Sequence, residues 1–276
     1  MMIGEALMAA QTRLVPVSDS PRLDAELLLG HVTGYSRSQI LIHLRDALAS
    51  KEQSEFEALI VRRARREPVA YLTGEKGFWS LMLKVSPAVL VPRPETELLV
   101  EWALEHLQKK PNSRVADLGT GSGAIALALT SECAQIEMTA TEFSPEAMAV
   151  AQENAQALQL KNIRFIEGSW FAPLQKQLFD LIVSNPPYIA RNDEHLEALL
   201  HEPLMALTDG ADGLQAIREI VSGASAHMRP DAWLLLEHGY DQGEAVRGLF
   251  MQNGFTDIET RRDLAGHERA TGARRP

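Results

Sequence analysis

The chain reads as an α/β protein: a mostly parallel sheet with helices on both faces, preceded by an N-terminal helical bundle and a short β-hairpin linker. Three observations predict this. From Arg114 onward, apolar strand-like runs alternate with helical patterns, as parallel strands joined by crossover helices require. The first of those strands ends in Asp117–Leu118–Gly119–Thr120–Gly121–Ser122–Gly123, a glycine-rich turn into a helix. Residues 1–70 instead show caps and helical periodicity. A length of 276 residues is also long for one core, so a large domain with a smaller companion is expected.

Each element carries its own signal. Ser20 caps a helix whose first residue is Pro21 and whose end is Gly34. Ser36–Arg37–Ser38–Gln39 and Ser50–Lys51–Glu52–Gln53 both fit the capping box, in which a hydroxyl and a Glu or Gln three residues later exchange bonds with each other's amides. Phe56, Leu59, Ile60 and Ala64 recur at helical spacing, and Pro68 is expected to stop that helix. Between 71 and 97 the pattern changes. Phe78–Val85 is strand-like, and Pro87, Pro92 and Pro94 punctuate the residues after it, so a small hairpin and linker are expected. A helix resumes over Glu95–Gln108, with Leu98, Leu99, Trp102, Leu104 and Leu107 available for packing. Strands are expected at 114–118, 136–141, 163–167, 179–184, 232–237 and 256–261. Helices are expected near 123–132, 145–158, 213–227 and 241–252, with Ser144–Pro145 starting the second. The expected division is therefore 1–70, 71–97 and 98–276.

Charge and cysteine content narrow the function classes. The formal net charge is −10, which repels polyanions and argues against a broad groove for nucleic acid. Residues 1–70 hold nine Lys+Arg and nine Asp+Glu; the remaining 18 basic and 28 acidic residues carry the whole acidic excess. Arg62, Arg63, Arg65 and Arg66 cluster at one helix end, as a docking patch for an anionic partner or, more plainly, a solvated face where cations suit the helix dipole. Cys133 is the only cysteine and ends an apolar run, so it reads as a buried bystander. Met1–Arg13 lacks the basic region and long apolar core of a signal peptide, and no apolar run approaches the ~18 residues of a membrane span. A cytoplasmic protein that does not engage membranes is expected.

The chemistry lies in the loops at strand ends, where such folds bind ligands. In Asp117–Gly123, three alternate glycines permit a sharp turn and close approach of a ligand to main chain. The string also satisfies Gly-x-Gly-x-x-Ala, so it indicates a nucleoside cofactor without choosing one. Glu142, after the second strand, can accept both hydroxyls of a ribose, which fits NAD and S-adenosyl-L-methionine equally. The deciding motif is Ser184–Asn185–Pro186–Pro187–Tyr188 after the fourth strand. Two successive prolines remove two backbone donors and leave carbonyl acceptors, and Asn185 adds a side-chain carbonyl. Such an acceptor set suits an NH2 group with two donors, and Tyr188 offers an aromatic face for a flat substrate. Hydride transfer has no use for this arrangement; methylation of a planar amino or amide nitrogen does.

Taken in order, Asp117–Gly123, Glu142 and Asn185–Tyr188 resemble the class I S-adenosylmethionine-dependent methyltransferases. The Asn-Pro-Pro-Tyr form is shared by enzymes acting on adenine N6, cytosine N4, guanine N2 and protein glutamine N5. More narrowly, Pro21–Glu26, Glu67–Gly74, Phe78–Trp79, Val91–Glu97 and Leu234–Gly239 resemble the release-factor glutamine methyltransferases (the HemK/PrmC family) over nearly the whole chain. The resemblance implies a Rossmann-like domain with a mostly parallel seven-stranded sheet. It implies S-adenosyl-L-methionine as cofactor and class 1 peptide-chain release factors as partners, docked by the helical head. In that reading Asp117, Gly119, Thr120, Gly121, Ser122 and Gly123 surround the methionine end, Glu142 the ribose, and Trp170 the adenine. Asn185, Pro186, Pro187 and Tyr188 hold the glutamine amide, with Asn185 also next to the cofactor. Three departures stand out. Glu142 replaces a commoner Asp, Leu199–Pro203 lacks the fuller Gly-Asp-Val-Arg-Phe-Glu-Pro-like loop, and Glu268–Pro276 lacks a clear final strand.

In the expected mechanism Asn185 Oδ1 and the Pro186 carbonyl accept the two amide hydrogens and aim the nitrogen at the methyl. No general base is evident in the motif. No metal is expected, because the eight histidines show no ligand spacing with each other or with Cys133. The competing readings are a nucleic-acid amino methyltransferase with the same loop, a nicotinamide oxidoreductase, and a protein that only holds the cofactor.

Overall fold

The computed structural model describes all 276 residues, which form two compact units, Met1–Glu75 and Lys76–Pro276. The first contains α1 (Ile3–Leu14), α2 (Pro21–Thr33), α3 (Arg37–Ile42), α4 (Ser50–Arg63) and α5 (Val69–Thr73). Their apolar stripes meet in one core built from Leu7, Leu14, Leu28, Leu29, Ile40 and Phe56. Ser36 forms the expected capping box: its hydroxyl accepts from Gln39 N at 3.3 Å and Gln39 Oε1 accepts from Ser36 N at 2.8 Å. Ser50 does not. It is the first helical residue, because Glu52 Oε2 reaches back to the Ala49 amide at 3.1 Å and sets the boundary one position earlier. Nor does Pro68 end α4, which stops at Arg63; it opens the short α5 instead, and Gly74 closes that helix at φ +78°.

The arginine cluster is partly consumed within this unit. Arg62 forks onto Glu67 at 2.8 and 2.5 Å, and Arg63 Nε donates to the buried Asp24 at 2.7 Å while its Nη2 reaches Val17 O. A planar guanidinium spans such paired acceptors well. Two of the four arginines therefore tie α4 to its own unit.

A two-stranded hairpin follows, β1 (Glu75–Phe78), which begins on the last residue of the first unit, and β2 (Leu81–Lys84). The strand pattern read over 78–85 is interrupted: Trp79 turns at φ +54°, held by its N–H donating to Glu97 Oε1 at 2.7 Å and its indole to Glu132 at 2.7 Å. After α6 (Glu97–Lys109) the alternation runs as β3 (Arg114–Leu118), α7 (Ala124–Glu132), β4 (Glu137–Glu142), α8 (Pro145–Ala157), β5 (Ile163–Glu167) and β6 (Phe179–Ser184). It continues through α9 (Leu204–Leu207), α10 (Gln215–Ala224), β7 (Met228–Glu237), α11 (Gly243–Gln252), β8 (Thr256–Arg262) and β9 (Glu268–Arg274). The seven strands lie in the order β5-β4-β3-β6-β7-β9-β8. All pairings from β5 to β7 are parallel, and β9 is antiparallel to both its neighbours. This is the mostly parallel seven-stranded sheet, with one apolar core on each face.

The chain runs outward from β3 to β5 and then returns to the other side of β3 with β6. The carboxyl ends of β3 and β6 thus flank the reversal of strand order, where a crevice opens. The tail corrects an expectation. Glu268–Arg274 is a full strand inserted between β7 and β8, with Ala270, Thr271, Gly272 and Ala273 buried. Its small residues are required by space: a Cβ on Gly272 would lie 2.5 Å from Leu235 Cδ2 and 2.6 Å from the Trp102 ring. Its arginines pair outside the core, Arg269 with Asp263 and Arg274 with Asp231 and Asp257. Cys133 sits half-buried just past α7, and burial pushes its thiol up, as a bystander requires. No helix is long and apolar enough to cross a membrane.

Candidate active site

A cavity of about 310 Å³ opens at the carboxyl ends of β3, β4 and β6. Its wall includes Gly119, Thr120, Gly121, Ser122, Glu142, Trp170, Asn185 and Pro187. The structure thus brings together most of the residues picked out from the sequence. Four others, Asp117, Gly123, Pro186 and Tyr188, are absent from that wall.

Asp117 lies beneath the glycine loop, 1% exposed, where one carboxylate oxygen accepts from Thr120 Oγ1 at 2.6 Å and Ala126 N at 3.2 Å. Burial pushes its carboxyl up to about 7, against those two bonds and with help from the nearby Glu142 charge. It shapes the loop from behind. Gly119, Gly121 and Gly123 all have positive φ, at +72°, +57° and +85°, which explains three glycines in five residues. Two of them also answer to packing. A Cβ on Gly119 would meet the Trp170 ring at 2.9 Å, and one on Gly123 would meet Leu127 at 2.8 Å. Only Gly121 faces open space, so it is the point where main chain can approach a ligand.

Glu142 ends β4 and faces that loop. Its Oε2 accepts from Gly121 N at 2.9 Å and its Oε1 from Ser144 N at 2.9 Å. Each oxygen keeps a second lone pair, so a ribose diol can still be held. Trp170, after β5, stands at φ +45° with its ring against Gly119. Behind the loop Asn154 clamps it to the hairpin, donating to Ser122 O at 2.9 Å and Lys84 O at 3.0 Å.

The Asn185 loop is held from elsewhere in the chain. Asn185 Nδ2 donates to Thr96 Oγ1 at 3.1 Å. Tyr188 offers no face to the cavity: its hydroxyl donates to Glu237 Oε1 at 3.2 Å, and its carbonyl accepts from Gln242 Nε2 at 2.9 Å. Its ring packs with the core on one face of the sheet, and burial next to Glu237 pushes its phenol up. Pro187, not Tyr188, forms the wall beside Asn185, and Pro186 is buried. Glu237 is 1% exposed, and burial raises its carboxyl to about 7 against the hydroxyls of Thr96 and Tyr188 and the charge of Arg269.

Four residues here had no assigned role in the sequence: Arg93, Thr96, Glu202 and Glu237. Glu202 is buried and accepts from Val91 N at 3.0 Å and Arg93 Nη2 at 2.5 Å. The departure noted at Leu199–Pro203 therefore leaves the key carboxylate in place, fastening the Val91–Thr96 segment that walls the cavity. The available signal was polar residues inside apolar surroundings, as in Leu234–Leu235–Leu236–Glu237.

Comparison with known proteins gives matches to both units. Residues 5–74 match the PrmC N-terminal domain and residues 95–214 the methyltransferase small domain. The chain is 47% identical over 273 residues to the release factor glutamine methyltransferase of Coxiella burnetii, covering 99% of each. It is 48% identical over 259 residues to that of Salmonella typhimurium, covering 93% of each. In three dimensions it resembles a ribosomal protein L11 methylase from Lactobacillus delbrueckii subsp. bulgaricus, with TM-score 0.54 and 22% identity over 70% of this chain and 86% of that one. That likeness extends to the fold.

Proposed function

Because the chain belongs to the family of release factor glutamine methyltransferases, we propose that it methylates the glutamine of the Gly-Gly-Gln loop in class 1 peptide-chain release factors. The acceptor is the side-chain amide nitrogen, N5, the donor is S-adenosyl-L-methionine, and the place is the cytoplasm, before translation termination. The observation that carries this reading is Asn185. Its nitrogen donates to Thr96, which leaves Oδ1 as the acceptor, on the wall of a cavity that Gly121 and Glu142 also line.

The residues fit the cofactor. The open side of Gly121 admits a ligand that a Cβ would obstruct, and the Glu142 carboxylate retains acceptors for a diol. The cavity volume falls in the range of small-molecule sites. In this assignment the Gly119–Ser122 main chain holds the methionine end, Glu142 the ribose and the Trp170 ring the adenine. When bound, the cofactor would supply a sulfonium methyl to the acceptor amide nitrogen, with the C–S electron pair left on sulfur in S-adenosyl-L-homocysteine.

An amide nitrogen is a weak nucleophile, so the chain must supply alignment and electrostatics. Asn185 Oδ1 and the Pro186 carbonyl accept the two amide hydrogens. They point the nitrogen at the methyl and stabilise the positive charge that grows on it. The amide proton leaves to solvent after transfer. Pro187 supplies the flat wall first assigned to Tyr188. The N-terminal helical unit docks the folded factor, and that remote contact offsets the cost of ordering a glycine-rich loop in the site.

The test uses the full chain and labelled S-adenosyl-L-methionine with three acceptors: an intact release factor, a short Gly-Gly-Gln peptide, and nucleic acid. Transfer to the intact factor with a much higher kcat/KM than to the peptide is expected. Equal values would remove the docking role. Transfer to nucleic acid and to neither protein acceptor would overturn the glutamine assignment in favour of an amino methyltransferase of nucleic acid.

A further inference from the structure

The cavity wall holds one anionic and one cationic side chain, Glu142 and Arg93, among mostly apolar and main-chain surface. The carboxylate is assigned to the ribose; the guanidinium has no task so far. Its Nη2 donates to Glu202 Oε1 at 2.5 Å, and Glu202 Oε2 accepts from Val91 N at 3.0 Å. One carboxylate thus fixes both the guanidinium and the main chain two residues before it. Glu202 is enclosed, with 2% of its side chain exposed, whereas Arg93 keeps 32%. An ion pair that only closed the wall would need a single donor from Arg93. A rigid fork of five N–H groups, left about a third uncovered beside a cavity, suits a second acceptor.

Arg93 stands at the Asn185 end of the site. Its carbonyl accepts from Thr96 N at 3.1 Å, and Thr96 Oγ1 in turn accepts from Asn185 Nδ2 at 3.1 Å. Trp170, assigned to the adenine, packs instead against Gly119. With the cofactor sulfur facing Asn185, a short methylene chain carries the α-carboxylate onward from it. Main-chain amides of the glycine loop are neutral donors; a guanidinium adds charge and a geometry matched to a carboxylate. We propose that Arg93 binds the α-carboxylate of S-adenosyl-L-methionine through the edge that Glu202 leaves uncovered, with Glu202 as the positioning residue that aims it. This rests on the reading of the cavity as the site of that cofactor.

The pairing also has an electrostatic use. A lone arginine would repel the sulfonium of the cofactor, whereas the Arg93–Glu202 pair carries no net charge and still offers directed donors. The cavity therefore selects ligands with an amino-acid tail over nucleosides that carry only adenosine and a thioether.

Calorimetric titration of the full chain with two probes tests this. S-adenosyl-L-homocysteine has the carboxylate; 5′-methylthioadenosine shares its adenosine and thioether but lacks the amino-acid tail. Arg93→Met should weaken S-adenosyl-L-homocysteine about 10- to 100-fold, the effect of losing one charge-assisted contact, and leave 5′-methylthioadenosine within about twofold. Arg93→Lys, which keeps the charge without the fork, should fall between the parent and Arg93→Met. Glu202→Gln, which keeps an acceptor for Val91 N, should lose less than Arg93→Met for S-adenosyl-L-homocysteine, and nothing further in the Arg93→Met background. Equal losses for the two probes would make the pair a prop for the wall, and no loss for either would place Arg93 outside the cofactor site; both overturn the proposal. Should Arg93→Met not fold, the same comparison of probes in Arg93→Lys decides it. Unchanged S-adenosyl-L-homocysteine affinity joined to a raised KM for the intact release factor also overturns it, assigning Arg93 to the acceptor protein. Failure of the parent chain to bind S-adenosyl-L-homocysteine overturns the cofactor reading beneath, a separate result.

Discussion

The two loops that meet in the cavity are built on opposite principles. The glycine loop after β3 is largely self-contained: Asp117 holds Thr120 three residues on and Ala126 nine residues on, and Glu142 holds Gly121 across 21. The Asn185 loop after β6 is held by distant parts of the chain. Thr96 lies 89 residues before Asn185, Glu237 49 residues after Tyr188, and Gln242 54 residues after it. The first loop must give one shape to its main chain, which local glycines and a local carboxylate can do. In the proposed reading the second fixes the direction of a single side-chain amide, and it is groups arriving from outside the loop that hold it.

The sharpest way to break this contrast is Asn185→Ala. If the second loop serves the reacting nitrogen and the first the cofactor, turnover should fall by roughly 100-fold or more while S-adenosyl-L-methionine affinity barely changes. Single-turnover rates and calorimetry on the same protein separate the two. A parallel loss of cofactor affinity would show that the loops share their work.

This contrast also explains what the sequence disclosed. The sheet was legible because strand and helix periods alternate through 114–262, and the glycine loop because its constraints lie within a few residues. Glu142 was legible from its place at a strand end. The anchoring of Tyr188 was not legible, because nothing near it in sequence shows that its hydroxyl goes to Glu237. Thr96, Glu202 and Glu237 lay hidden because their partners are 49 to 111 residues away. The final strand was missed for another reason: Ala, Thr and Gly flanked by arginines look like a polar tail until the space against Trp102 and Leu235 is known. The capping residue at Ala49 and the turn at Trp79 escaped because single glutamates, Glu52 and Glu97, decide them.

Glu142→Ala tests the first loop from its far side, with a smaller effect. The substitution removes the acceptor proposed for the ribose and also releases Gly121 N and Ser144 N. A charge-assisted contact of this kind contributes about 1.5–3 kcal/mol, so cofactor affinity should fall roughly 10- to 100-fold. At saturating cofactor, the single-turnover rate should be nearly normal, because the Asn185 loop is untouched. An unchanged affinity would remove Glu142 from the cofactor site.

The smallest effect expected has an unusual sign. Asp117 accepts both its hydrogen bonds on one oxygen, and an asparagine could accept the same two through Oδ1. Asp117→Asn should thus keep the loop's shape while removing a buried charge. Burial holds the native carboxyl at about 7, well above its ordinary value near 4. Between those two pH values the folded chain keeps a proton that the unfolded chain has released, so native stability falls as pH rises through the window and levels off above about 7. Asparagine contributes no such slope. At pH 8 the variant should therefore be more stable than the parent by about 1 kcal/mol, less than the pKa displacement alone implies because the new amide is also buried unshared on one side. At pH 4.5 the parent carboxyl is already neutral in the folded state, and the difference should largely vanish. Denaturant unfolding at the two pH values measures both. A loss of stability at pH 8, or an equal change at both, would mean that the Asp117 charge supports the glycine loop and is not merely tolerated beneath it.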